Sequence, residues 1–82
     1  MNRVTALFFA TLRDRVGVKS IEIQIPAQTK VSDFKTILLE RFPSLAGSVN
    51  HTLISINHEY ASNETVIPNN AEIALFPPVS GG

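Results

Sequence analysis

Six residues near the start of the chain alternate strictly between apolar and polar side chains, and this pattern constrains the fold most. The apolar positions are Ile21, Ile23 and Ile25, and the polar positions are Ser20, Glu22 and Gln24. A period of two is that of a β-strand with one buried face. Pro26 ends the strand because proline cannot donate a hydrogen bond to a neighbour. The chain must therefore supply partner strands and a layer that covers the isoleucines.

Other segments provide those strands. Residues 3–10 are rich in apolar and aromatic side chains and predict a first strand, which we expect to form a hairpin with 20–25 across a polar turn at 13–19. Leu53, Ile54 and Ile56 predict a short strand, and 72–76 predict the last one, ended by two prolines. Turns are expected at 57–59 and 68–70.

One helix is predicted over residues 32–42. Ser32 is a suitable N-cap, and Asp33 complements the positive end of the helix dipole. Pro43 ends the helix because a residue before proline disfavours the helical region. The apolar positions recur at helical spacing: Phe34, Ile37, Leu38 and Phe42.

The order of elements predicts an α+β fold. The helix cannot hide its apolar stripe alone, so it packs across one face of a mixed sheet in which the first and last strands are parallel neighbours. This is a β-grasp, or ubiquitin-like, arrangement. With 82 residues the chain forms one domain, which we place at 1–76, with an extended tail at 77–82. The predicted core consists of Val4, Ala6, Phe8, Ile21, Ile23, Ile25, Phe34, Ile37, Leu38, Ile73 and Leu75.

Composition excludes several functions. The formal charge is zero, whereas a nucleic-acid binder needs a basic excess. Cysteine is absent, and His51 and His58 have no further ligand at metal-binding spacing, so we expect no metal and no cofactor on this chain. The longest apolar stretch, around 4–12, is too short to span a membrane, and charged residues follow it too closely for a signal peptide, so we expect a cytoplasmic protein. The carboxylates are scattered, which disfavours an autonomous enzyme.

The last six residues, Pro77–Gly82, carry the most specific chemistry. Two prolines favour an extended conformation that projects the tail from the domain, and six residues reach about 20 Å. The final glycines lack a Cβ and can enter a channel closed to other residues. The terminal carboxylate of Gly82, ionised at neutral pH, can attack the α-phosphate of ATP in a partner enzyme. The tail residues expected to insert are Pro77, Pro78, Val79, Ser80 and Gly81.

Strand alternation also predicts a surface for partners. Arg3 and Thr5 mark the outer face of the first strand, and Glu72 marks that of the last. Residues of the same parity would form an apolar patch beside the tail, with Tyr60 at its edge: Leu7, Phe9, Ala74 and Phe76. The alternative is that residues 61–70 cover this patch.

Three segments give the chain a resemblance to a known family. They are Leu7-Phe8-Phe9-Ala10 with Arg13 and Gly17, then Ile56-Asn57, and the closing stretch from Ala71 to Gly82. Together they resemble the MoaD family, the small subunits of molybdopterin synthase. The chain departs from the family pattern at Ser80, where threonine is common, and at the turn over 68–71.

The resemblance implies a sulfur carrier. An E1-like enzyme that uses ATP would adenylate Gly82, and a sulfur donor would convert it to a thiocarboxylate. The large synthase subunit would then receive the tail and pass the sulfur to cyclic pyranopterin monophosphate, in an assembly of two small and two large subunits. The alternatives left open are a ThiS-type thiamine sulfur carrier, a ubiquitin-like modifier and a non-catalytic interaction module with an inert tail.

Overall fold

A five-stranded mixed sheet with two helices forms the domain in a computed structural model that describes residues 1–78. The helices are α1 (Ala10–Val16) and α2 (Val31–Arg41), and two 3-10 turns follow at Pro43–Leu45 and Val49–His51. The strands run in the order β2-β1-β5-β3-β4 across the sheet. Their bounds are β1 Asn2–Phe8, β2 Ser20–Ile25, β3 Leu53–Ile56, β4 Glu59–Tyr60 and β5 Glu72–Phe76.

The first and last strands lie side by side at the centre of the sheet. They are parallel, with a register from Thr5 opposite Glu72 to Phe8 opposite Leu75. β1 also pairs antiparallel with β2, and β5 pairs antiparallel with β3. Phe34 and Leu38 of α2 are fully buried in the same apolar core as the inward-facing residues of these strands. The predicted α+β, β-grasp fold with one main helix on one face is confirmed.

The bounds of α2 follow from local chemistry. Lys30, not the predicted Ser32, occupies the N-cap, and its backbone N–H donates to Asp33 Oδ2 at 3.2 Å. The carboxylate thus satisfies one of the backbone donors that a helix start leaves without a partner. The helix ends at Arg41, because Phe42 before Pro43 is extended, with φ −128° and ψ 82°.

The predicted polar turn at 13–19 is wrong, although the antiparallel pairing expected of a hairpin between the first two strands is present. The two strands are antiparallel neighbours, but α1 connects them. Leu12 of this helix is buried, with 2% of its surface exposed, so packing stabilises a helix too short to form alone. Gly17 ends the helix with φ 84°, where its N–H donates to the Arg13 carbonyl at 2.8 Å.

Nine of the eleven predicted core residues are buried. Ile21 and Ile37 are only partly buried, although both pack against the core. Eight residues that are absent from the predicted set also enter the core, from α1, the α2 start, the 3-10 turns, β3 and the loop before β5: Leu12, Val31, Leu45, Val49, Ile54, Ile56, Ile67 and Ala71.

Residues 61–70 lie along the start of α2. The backbone N–H of Val31 donates to the Thr65 carbonyl at 2.9 Å, and that of Ile67 donates to the Thr29 carbonyl at 2.8 Å. Ile67 is buried, which fixes the middle of the segment to the core. This loop therefore belongs to the helix side of the domain. In the part of the chain that the structure describes, no helix has the length and hydropathy needed to cross a membrane.

Two adjacent phenylalanines provide a test of the fold: Phe8 is the last residue of β1, and Phe9 follows it. Phe8 is 2% exposed in the core, whereas Phe9 is 41% exposed. We expect Phe8→Ala to lower the free energy of unfolding by about 3–5 kcal/mol, and the buried Phe34→Ala to do the same. Phe9→Ala, the matched control, should cost only about 1–2 kcal/mol. Urea denaturation of the three variants measures this, and equal losses at Phe8 and Phe9 would contradict the assigned faces.

Candidate functional site

The predicted tail begins at the end of β5. Phe76 is the last residue of this strand and lies opposite Leu53 of β3. Pro77 is half-buried against the domain and Pro78 is exposed, so the chain leaves the sheet at this point. The predicted roles of Val79, Ser80, Gly81 and Gly82 fall on residues outside those described.

The backbone around Phe9 fixes that side chain beside the tail base. Its N–H donates to the Leu75 carbonyl at 3.2 Å, and its carbonyl accepts from the Leu12 N–H at 3.1 Å at the start of α1. Ala10, which follows, adopts a left-handed φ of 52° and turns the chain into the helix. The ring of Phe9 stacks on that of Phe76, with 4.8 Å between centroids and 13° between planes. The residue is therefore held between the final strand and α1.

The sheet register brings the other predicted patch residues together on the face opposite α2. Leu7 lies opposite Ala74, Ala74 lies opposite Ser55, and Ser55 lies opposite Tyr60. These residues share one face because side chains alternate along each strand. Leu7, Ala74 and Phe76 are half-buried there, while Tyr60 is 77% exposed. The structure thus places the whole predicted set in one apolar surface.

One residue extends this surface beyond the predicted set. Leu53 is 40% exposed and lies opposite Phe76, next to the stacked pair. In the sequence, Leu53 alternates with Ile54 and Ile56 along the strand. Because these two isoleucines are buried, the alternation places the Leu53 side chain on the opposite, exposed face. We call the surface formed by Leu7, Phe9, Leu53, Tyr60, Ala74 and Phe76 the apolar patch.

The loop over residues 61–70 does not lie across the apolar patch. The middle of the loop, residues 63–67, hydrogen-bonds to the backbone of Thr29, Val31 and Ser32 at the start of α2. Its ends bond to the strands themselves, through Ala61 to Ile54 and through Asn69 and Asn70 to Arg3. Phe9, Leu53 and Tyr60 accordingly remain among the exposed large apolar residues of the domain. Among residues 1–78, the hydrogen bonding of this loop therefore does not support the alternative in which it covers the patch.

Polar groups border the apolar patch on the side away from the tail. Glu22 and Glu72 flank Thr5 in one row across β2, β1 and β5. The exposed His58 lies next to this row, with its Nε2 at 3.5 Å from Glu72 Oε1. An apolar centre with a polar border is the usual anatomy of a protein–protein interface.

The described residues offer no metal site at this surface. Among residues 1–78, no group of three or more His, Cys, Asp or Glu side chains could hold a metal ion. What the site provides is a rigid apolar surface continuous with the strand from which the tail departs.

Comparisons with known proteins agree with this arrangement. The model of the ThiS family matches residues 6–82. A relative from Dictyostelium discoideum, the molybdopterin synthase sulfur carrier subunit, is 35% identical over 85 residues that cover 99% of this chain and 98% of the relative.

Solved structures share the fold over nearly the whole chain. The small archaeal modifier protein 1 of Methanosarcina acetivorans is 27% identical, with a TM-score of 0.78 and coverage of 100% of this chain and 98% of that one. A chain in the protein–protein complex of subunits 1 and 2 of the molybdopterin-converting factor of Helicobacter pylori has a TM-score of 0.67. It is 21% identical, with coverage of 98% of this chain and 99% of that one, and this likeness shows the fold alone.

Proposed function

The chain belongs to the ThiS family, and on that premise we propose that it is the sulfur carrier subunit of a molybdopterin synthase. The observation that carries the proposal is the position of the tail. The strand that ends in Phe76 runs along the apolar patch and continues into a sequence closing with two glycines. A partner that binds the patch therefore also receives the tail. The name of the Dictyostelium relative supports the choice of pathway.

The proposed chemistry takes place at the carboxylate of Gly82. In an E1-like partner this carboxylate attacks the α-phosphate of ATP, which forms an acyl-adenylate and releases pyrophosphate. A sulfur donor then displaces AMP and leaves a thiocarboxylate. In the large synthase subunit, the thiocarboxylate gives its sulfur to cyclic pyranopterin monophosphate, and hydrolysis restores the carboxylate. ATP belongs to the activating partner, and this chain binds no cofactor of its own.

The contribution of this chain to the reaction is positional. A nucleophile tethered to a docked domain is present at a high effective concentration, so a bimolecular sulfur transfer becomes nearly unimolecular. Glycines at the last two positions allow close approach, because a side chain at Gly81 would clash in a narrow channel. The tail residues Pro77 to Ser80 span the distance between the docked domain and the site.

The apolar patch is the proposed docking surface for both partners. Aromatic residues at the centre of an interface commonly carry much of its binding energy, and Phe9 and Phe76 lie at the tail base as a stacked pair. A small domain rarely leaves such a surface uncovered unless something binds there. We further propose that two small and two large subunits assemble in the cytoplasm.

A ubiquitin-like modifier is the second candidate. The likeness to the archaeal modifier protein, at 27% identity over the whole chain, favours it specifically. A modifier would leave isopeptide adducts on lysines of other proteins, whereas a sulfur carrier would not. A thiamine sulfur carrier would share the thiocarboxylate but transfer its sulfur to a different acceptor, so reconstitution with cyclic pyranopterin monophosphate and the large subunit separates the two pathways.

The length of the tail is the first test of this function. Deleting Gly82, or adding one residue after it, moves the carboxylate from the adenylating position. We expect either change to abolish thiocarboxylate formation in a reconstituted reaction with the activating enzyme, ATP and a sulfur donor. The fold should be unchanged by circular dichroism. The matched control is one glycine added before Met1, which is 82% exposed and should leave sulfur loading intact. Normal loading of the chain extended at its C-terminus would contradict the proposal.

The apolar patch provides a second test. Phe9→Ala and Phe76→Ala should each weaken binding to the large subunit and to the activating enzyme by about 2 kcal/mol or more, if each is an energetic centre of the interface. Titration calorimetry of folded variants measures this. Val66→Ala is the control, because Val66 is 43% exposed but lies on the loop beside α2. If the folded double variant binds both partners with wild-type affinity, the apolar patch is not part of the interface.

A further inference from the structure

The balanced charge of this chain is unevenly distributed over the domain. Four of the seven basic residues lie at the end of the sheet where the tail departs, in and around α1 and at the end of α2. These exposed residues are Arg13, Arg15, Lys19 and Arg41, which we call the basic collar. Only two of the seven carboxylates, Asp14 and Glu40, share this end.

The other five carboxylates lie in the middle and at the far end of the domain. They are Glu22, Asp33, Glu59, Glu64 and Glu72. Within residues 1–78, the ion pair of Lys30 with Glu64 at 3.1 Å is on this side, where His58 Nε2 also lies 3.5 Å from Glu72 Oε1. Counting side chains only, the tail end therefore carries four positive and two negative charges, and the rest of the domain carries three positive and five negative charges.

Backbone contacts connect the basic collar to the tail base. The Arg13 N–H and the Phe9 carbonyl are 3.5 Å apart, and the ring of Phe9 stacks on Phe76. The Lys19 carbonyl accepts from the Phe8 N–H at 2.8 Å, which places Lys19 at the same end of β1.

The two helices meet at this end of the sheet. Ser44, just after α2, donates its hydroxyl to the Arg15 carbonyl at 2.8 Å. The Arg41 guanidinium lies 6.0 Å from the centroid of the Phe42 ring, which itself packs edge-on against Phe8 at 5.7 Å. These contacts hold the backbones of α1 and of the α2 end together, so the residues of the basic collar share one end of the domain.

The reach of the tail determines what the basic collar can contact. Six residues from Pro77 to Gly82 span about 20 Å when extended. When the terminus occupies a partner's reaction site, the basic collar lies near the mouth of the channel, about 20 Å away. Direct contact with the phosphates at that site is out of reach. The counterpart must be a group on the partner's own surface.

We propose that the basic collar docks against an acidic rim of the large synthase subunit at the mouth of its tail channel. This inference rests on the proposed function, because it assumes that the tail enters a partner. Complementary charges raise the association rate and suppress wrong orientations more than they raise affinity. Opposite charges at the two ends of the domain favour the orientation in which the tail points at the channel. The collar thus steers the docking that the apolar patch then stabilises.

A purely local role for these cations makes a different prediction. Arg13, Arg15 and Arg41 lie in the last turns of their helices, where a positive charge complements the helix dipole. In that case their replacement would affect the stability of the domain but not the rate at which it finds a partner. The experiment therefore has to measure association and folding separately.

The test is the association rate of the full chain with the large subunit of molybdopterin synthase from the same organism, measured by stopped flow. The variant Arg13→Glu/Arg15→Glu reverses two charges of the basic collar. The matched control, Arg3→Glu/Lys35→Glu, makes the same change in net charge on exposed or half-buried residues away from the tail. We expect the collar variant to associate at least about 10-fold more slowly at low salt, and the control to change less than about 2-fold. The difference should nearly vanish in 1 M salt, where the screening length is about 3 Å.

Equal rates for the two variants at low salt would overturn the inference. If circular dichroism shows that the collar variant is unfolded, Arg13→Gln/Arg15→Gln replaces it, with Arg3→Gln/Lys35→Gln as control, and the same criterion applies to a smaller expected change. Titration of the isolated chain with magnesium ATP is the second arm. If the wild-type chain binds magnesium ATP and the collar variant does not, the basic collar binds a nucleotide. That result would contradict the proposed docking against an acidic rim.

The proposed function can fail separately from this inference. A wild-type chain that is sulfur-loaded and binds the large subunit, with no difference between the two charge variants, sustains the sulfur carrier and overturns the steering role. A wild-type chain that is neither loaded nor bound overturns both.

Discussion

The parallel pairing of β1 with β5 is the contact on which the rest of the molecule depends. It joins the first and last strands of the chain, from Thr5 opposite Glu72 to Phe8 opposite Leu75. Closing such a distant pair costs conformational entropy, which burial of Val4, Ala6, Phe8 and the facing residues of β5 beneath α2 offsets. With one face covered by the helix, the pair leaves its other face open beside the point where the tail departs.

Much of this arrangement could be predicted from the sequence because the signals are local and periodic. The alternating residues of β2 and β5 define their faces, and the spacing of Phe34 and Leu38 defines the side of α2 that packs on the sheet. The parity of Leu7 and Phe76 also predicted their shared surface, which follows once β1 and β5 are placed as neighbours.

The features that sequence patterns missed depend on packing between distant segments. α1 has seven residues, and its stability comes from Leu12 in the core rather than from a long helical repeat. Gly17 at its end fits a turn in the sequence, but glycine is also a common helix terminator, and that is its role here. The exposure of Leu53 and the hydrogen bonds between residues 61–70 and the α2 start depend on which strands and loops become neighbours. The periodicity of the sequence contains no information about these neighbours.

The proposed function assigns separate tasks to separate parts of the molecule. The apolar patch would bind, the charges at the two ends would orient, and the final glycine would carry the sulfur. The central claim is the last of these, and the intact mass of the chain purified from its own cells tests it most directly. A sulfur carrier should show a fraction heavier by about 16 Da, since one oxygen of the terminal carboxylate is exchanged for sulfur, and this gain should localise to the C-terminal peptide. A chain found only with its unmodified mass, under conditions in which the cells make molybdopterin, would contradict the account.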